Sequence, residues 1–331
     1  MKQQTWTKTK WFSIIIFAFV FLIVVAGTTT WHYGMAQYLI GVCCAKGIVM
    51  KKDNEDAVKW MRLSAEKDFP KAQFYLAIFL ALGEYVEMDN EEAVKLLRKA
   101  AAQDFPKSKI ALAGCLMREC DSMESCMEAM KLAREEAERG DSMGQLLLAV
   151  GYQYGIGLDK DMAEAVKWFR KAAEQGESDA QFALAYFLSN EEGVEYNEEE
   201  AVKWYLKAAE QGHSGAQCNL GVRYMYGDGV EKDEDKAIEL CRKAAENDVP
   251  EAQYALGLWY YEGMGVPFNM NEGIKWIRKA AERCNTEARF ALGSIYEKEA
   301  VKWYRWAAEQ KHEKALERLK ELEPMWNFEE N

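Results

Sequence analysis

From Ala216 onward, small and apolar residues come in two bursts. Ala216, Leu220, Gly221 and Tyr224 recur with the spacing of one helix face. Gly227 and Gly229 then interrupt the pattern and predict a turn. Asp233 stands where a helix N-cap belongs, and Ala237, Ile238, Cys241, Ala244 and Ala245 resume a helical stripe. The pattern predicts two antiparallel helices joined by a Gly-rich turn.

The same pattern recurs along the chain. AVKWFRKAAEQG at Ala165–Gly176 returns as AVKWYLKAAEQG at Ala201–Gly212. First-helix phrases start at Ala36, Ala72, Ser108, Gly144, Ala180, Ala216, Ala252 and Ala288, each 36 residues after the last, and Ala315 follows after only 27. Ser142, Ser178, Ser214 and Thr286 read as N-caps at the junctions, and Pro250 as the first helical residue. The Ala pairs let helices approach closely, and Trp60, Trp168, Trp204, Trp276 and Trp303 fill the space toward the neighbouring unit. One hairpin cannot bury its own stripe, whereas stacked hairpins can.

The motif A-x-x-x-L-G-x-x-Y-x-x-G-x-G-V-x-x-D-x-x-K-A-x-x-W-Y-x-K-A-A-E-x-G resembles that of the Sel-1-like repeats, relatives of tetratricopeptide repeats. The resemblance spans residues 36–331 and is best over Ala216–Pro250 and Ala252–Thr286. It implies an all-α fold, a right-handed superhelical α/α solenoid. Eight repeats over residues 36–314 would be followed by a capping helix and acidic tail over 315–331.

Three repeats depart from the motif. The third replaces the Gly turn with ECDSMESC at Glu119–Cys126, and the fifth has Ser189, Asn190 and Glu191 at its turn. The eighth is nine residues short and runs IYEKEAVKWY. With no breaker there, its two helices are expected to fuse into one from about Thr286 to Gln310.

At the other end, residues 1–10 carry Lys2, Lys8 and Lys10 and no acid. Trp11–Trp31 is free of charge, and a tryptophan stands at each end. A basic flank and about 20 apolar residues read as one N-terminal hydrophobic helix, a membrane signal-anchor with the repeats outside the cytoplasm. The alternative is a signal peptide cut near Ala26, giving a secreted or periplasmic protein.

The net charge is −12, and the basic start makes the repeats more acidic still. Nucleic acid and anionic lipid both want Lys/Arg patches, so neither is expected on the repeats. The 8 cysteines contain no C-x-x-C and the 3 histidines are remote from one another, so no metal site is expected. Outside the cytoplasm disulfides are allowed, and Cys120–Cys126 and Cys218–Cys241 are candidates, with small core residues as the alternative.

No pairing of a nucleophile with a base is visible in the chain, and phosphate-loop and H-E-x-x-H motifs are missing. No cofactor and no small-molecule substrate are expected. A cysteine-rich branch of the family, sometimes labelled β-lactamase or penicillin-binding, carries cysteines where this chain has Ala173 and Gln181, Ala209 and Gln217, and Ala245 and Gln253.

The resemblance implies a scaffold or adaptor that binds a protein or peptide partner on the concave face. Third and seventh residues of the repeats, such as Tyr38, Phe182, Tyr254, Val222 and Leu258, form an apolar row there, either inter-repeat core or an interaction stripe. Tyr186, Tyr226, Tyr254, Leu258, Trp259 and Tyr261 are the candidate contacts, because aromatic residues dominate binding hot spots. The alternatives are a β-lactamase or penicillin-binding-type hydrolase and a secreted effector.

Overall fold

The computed structural model describes residues 30–46, 54–120, 122–190, 195–295 and 300–326. All but the last two residues of the apolar span 11–31 lie outside this set. Among the described residues no helix is long and apolar enough to cross a membrane.

The described residues form helices with no strand between them. The chain divides into two compact units, Met1–Ala165 and Val166–Asn331. The first holds α1 (Thr30–Lys46), α2 (Asn54–Glu66), α3 (Pro70–Leu82), α4 (Asn90–Ala102), α5 (Ser108–Glu119), α6 (Met123–Glu138) and α7 (Ser142–Tyr154), and α8 (Met162–Glu174) spans the division. The second holds α9 (Ser178–Asn190), α10 (Glu198–Glu210), α11 (Ser214–Tyr226), α12 (Glu234–Glu246), α13 (Pro250–Glu262), α14 (Met270–Glu282), α15 (Thr286–Ile295), α16 (Ala300–Glu309) and α17 (Glu313–Trp326).

Within each unit the helices pair as hairpins and the hairpins stack. In the second unit α9 packs on α10, α11 on α12, α13 on α14 and α15 on α16, and the second helix of each hairpin packs on the first helix of the next. The interior follows the stripes. Ala216, Leu220, Ala237, Cys241, Ala244, Ala245, Ala252 and Leu256 are all buried. Each fully buried leucine contributes roughly 1.5–3 kcal/mol. Close approach explains the small residues: a Cβ on Gly257 of α13 would stand 2.9 Å from the Ile277 backbone nitrogen of α14.

Capping differs from expectation by one residue. Ser142, Ser214 and Thr286 are the first residues of their helices. The preceding residue does the capping: Asp141 Oδ1 accepts the Gly144 N–H at 2.8 Å, His213 Nδ1 that of Ala216 at 3.0 Å, and Asn285 Oδ1 that of Ala288 at 2.8 Å. Only from that position does a short side chain reach the third helical N–H. Second helices start as read, with Asp233 Oδ1 accepting the Lys236 N–H at 3.0 Å.

The eighth repeat corrects the fused-helix expectation. Phe290 of α15 and Tyr304 of α16 have ring centroids 5.5 Å apart, and the Ser294 and Tyr304 hydroxyls lie 3.0 Å apart. In one continuous helix residues 290 and 304 would be about 21 Å apart. A continuous helix would leave Trp303, Tyr304 and Ala307 without cover, whereas the hairpin buries all three. Gly293 makes the room, since a Cβ there would meet the Tyr304 ring at 2.8 Å. Burial of that stripe outweighs the local preference for an unbroken helix.

Two of the eight cysteines are joined, Cys120 to Cys126, with Cα atoms 5.3 Å apart. The bond straddles the short connection between α5 and α6, where most other repeats use glycines. The Cys218–Cys241 pairing is corrected: both are free thiols, and Cys241 Sγ lies 3.7 Å from the Cys218 carbonyl oxygen, to which it donates. The neighbouring Cys218 side chain and burial raise the Cys241 thiol far above its ordinary value.

Candidate partner-binding face

Four first helices pack their third residue on the residue at the junction that precedes the next first helix. Tyr38 packs on Phe69 at 5.7 Å, Phe74 on Phe105 at 5.3 Å, Phe182 on His213 at 4.5 Å and Phe290 on His312 at 4.9 Å. At these four positions the row is packing at the junctions between repeats. Burial and the nearby Tyr75 push the Tyr38 phenol up to about 12.

The candidate contacts separate into three groups. Tyr186, on α9, is 41 % exposed, and Tyr226, the last residue of α11, is 56 % exposed. Tyr254 and Leu258 on α13 are half-buried against the core formed by Ile277, Leu292 and Trp303. Burial raises the Tyr254 phenol, with the Glu287, Glu262 and Tyr226 charges adding to it. Tyr261 is half-buried beside Gly273 of α14. Trp259 does not belong to the face. It is 1 % exposed and sits in the core with Met225, Ile238 and Trp276. Its position, eighth in the repeat, points inward.

That same position exposes a residue the sequence reading passed over. The eighth residues of the repeats are Cys43, Phe79, Cys115, Gly151, Phe187, Arg223, Trp259 and Ile295. Arg223 alone carries a charge. It pairs with Glu198 at the start of α10, and its guanidinium lies 5.3 Å from the centre of the Tyr205 ring. Tyr196 donates its hydroxyl to Glu198 at 3.1 Å, and Asn219 donates to the Tyr205 hydroxyl at 3.2 Å. Arg223 Nε is buried without a partner. The result is a polar cluster joining α10 of repeat five to α11 of repeat six. A lone arginine in an otherwise apolar register was the available signal.

A second unread role belongs to the glutamine that follows the first residue in six of the eight repeats. Gln73, Gln145, Gln181, Gln217 and Gln253 each donate Nε2 to a carbonyl eight residues back, at 3.1–3.4 Å, tying the first helix to the helix before it. In the eighth repeat Arg289 Nε does so at 3.0 Å. Arg98 to Glu128 at 2.6 Å and Arg170 to Glu200 add ties between second helices.

The histidines hold structural positions. His213 and His312 both cap helices through Nδ1, stack on the third-position phenylalanine of the repeat before, and face an acid through Nε2, Asp179 at 3.5 Å and Glu287 at 2.9 Å. Among the described residues no group of three His, Cys, Asp or Glu side chains is placed to hold a metal.

The family model of the Sel1 repeat matches residues 34–69, 70–105, 142–177, 178–213, 214–249, 250–283 and 296–312. It passes over 106–141, where the Cys120–Cys126 connection stands. The solved structure of a protective antigen present in uropathogenic Escherichia coli strains, displaying an SLR fold, matches with a TM-score of 0.67 at 29% identity over 86% of this chain. The match spans 63% of that antigen's chain. A Sel1 repeat protein from Oxalobacter formigenes matches with a TM-score of 0.59 at 28% identity, covering 92% of this chain and 93% of its own. No curated protein matches the chain. With the repeat model matching in seven places across more than half its length, this chain belongs to the Sel1 repeat family.

Proposed function

We propose that the chain is a non-catalytic scaffold that binds a protein partner on the first-helix face of its second unit. The observation that carries this reading is the exposure of Tyr186 and Tyr226 on that face. Most other large apolar residues of the first helices there are taken up by inter-repeat packing. Tyr226 makes no hydrogen bond or ring pairing among the described residues. Half-exposed tyrosines bring large contact area at low entropic cost and a hydroxyl for a polar anchor. The Arg223–Glu198 pair ties α11, which carries Tyr226, to α10. Sel1 repeats generally mediate protein–protein interaction, which agrees with this reading.

The charge-free span Trp11–Trp31 behind three lysines supports a membrane anchor with the repeats outside the cytoplasm. Protease added to intact cells would then digest the repeats and leave a short N-terminal fragment in the membrane. Repeats protected from protease in intact cells would sink that placement. The partner reading is tested by pull-down from native membranes beside a Tyr186→Ala/Tyr226→Ala variant, which is expected to lose the partner while keeping its melting temperature.

A further inference from the structure

Five of the eight repeats carry tryptophan at one position of the second helix, and the sixth carries Leu240 there. Leu96 and Leu132 stand at that position in the second and third repeats. What the indole does is visible on both sides of the sixth repeat. Trp204 and Trp276 are each 8 % exposed. Trp276 packs with Ala245 and Leu256, in the groove between α12 and α14 over α13. A lysine three residues on covers each ring, Lys207 over Trp204 at 4.0 Å and Lys279 over Trp276 at 4.3 Å.

In the sixth repeat the corresponding groove lies between α10 and α12 over α11. It is an open cleft of about 450 Å³, walled by Leu206, Leu220, Tyr224 and Leu240. Its volume lies within the range of small-molecule and side-chain pockets. Lys243, the counterpart of Lys207 and Lys279, has no ring to cover and pairs with the exposed Glu239 at 2.6 Å.

One wall also carries an unmet hydrogen bond. The side-chain oxygens of Gln73 and Gln181 accept from Gln103 at 3.0 Å and Gln211 at 2.8 Å. At the sixth repeat the donor's place is taken by Asn247, one methylene shorter, which gives its N–H to Ser214 Oγ at 3.1 Å. Gln217 Oε1 is left buried without a partner. Gln253 Oε1 is unpaired as well, but there Trp276 packs over the helix.

We infer that this cleft is a docking site for a tryptophan side chain of a protein partner, which supplies the indole that the sixth repeat lacks. The apolar walls take the ring, Lys243 swings from Glu239 onto its face as its counterparts do, and the Gln217 oxygen gains a donor. This rests on the proposed reading of the chain as a protein-binding scaffold, but on a face distinct from that of Tyr186 and Tyr226.

The test needs no identified partner. N-acetyl-5-fluorotryptophanamide is titrated into the full-length protein in detergent and followed by fluorine NMR, where the chain's own tryptophans are silent. Saturable binding is expected, at least tenfold weaker in Leu240→Trp, whose own indole fills the cleft. That variant's melting temperature is expected to equal or exceed that of the wild type. Lys243→Ala is expected to bind several-fold more weakly with an unchanged melting temperature. Lack of saturation, equal binding by Leu240→Trp, or equal binding of the fluorophenylalanine analogue would overturn the inference. A partner that fails to come down with the protein bears on the scaffold reading and leaves this titration intact.

Discussion

The imidazole of His213 lies stacked on the ring of Phe182, centroids 4.5 Å apart and planes 22° from parallel, while its Nδ1 accepts the Ala216 N–H. His312 repeats the arrangement on Phe290 at 4.9 Å and 25°. One residue therefore closes the hydrophobic seam between repeats and caps the next helix.

This arrangement makes the junction of repeats five and six sensitive to acid. Burial lowers the His213 pKa below its ordinary value, with the Asp179 carboxylate opposing. The folded chain thus binds this proton less readily than the unfolded chain does. The stability the group carries is intact above the unfolded value of about 6.5 and is lost as pH falls through the lower folded value. Protonation also removes the lone pair that caps Ala216. The melting temperature is expected to fall from about pH 7 to about pH 5 more steeply in the wild type than in His213→Asn, which keeps a cap. Equal slopes would contradict this.

Close helix contact predicts an asymmetry between two glycines. A Cβ on Gly257 would meet Ile277 Cγ1 at 2.6 Å and the Gly273 carbonyl oxygen at 3.0 Å, whereas one on Gly114 would meet nothing within 4 Å. Gly257→Ala is expected to cost about 1–3 kcal/mol by overpacking. Gly114→Ala, within α5, is expected to gain about 0.5–1 kcal/mol. Denaturant unfolding of both variants distinguishes the two directions.

The Cys120–Cys126 bond closes a loop of sequence separation 6. Chain-entropy arguments give such a loop about 2 kcal/mol. Reductant is expected to lower the stability of the first unit by that order. Peptide mapping without reductant should show Cys120 linked to Cys126, and Cys218 and Cys241 alkylated only after unfolding. A Cys218–Cys241 cross-link in the native protein would contradict the structure.

The repeat register was legible because it is written in small residues. Ala216, Leu220, Ala237 and Ala244 must be buried for hairpins to stack, and each recurs at a fixed interval. The glycine turns were legible for the same reason, since Gly227 and Gly229 both take positive φ. What escaped depends on contacts distant in sequence. The caps at Asp141 and His213 lie one residue before the serines that drew attention. The reversal in the eighth repeat follows from burial of Tyr304, which no local breaker announces. Trp259 reads as a surface aromatic until α12 and α14 close over it. Arg223 is odd in its register, but its partner Glu198 lies 25 residues earlier.

The most direct test of the central claim is a pull-down of the protein from its native cells, beside the Tyr186→Ala/Tyr226→Ala variant, with melting temperatures recorded for both. The account predicts a protein partner retained by the wild type and lost by an equally stable variant. A partner held equally by both would contradict the first-helix face as the binding site.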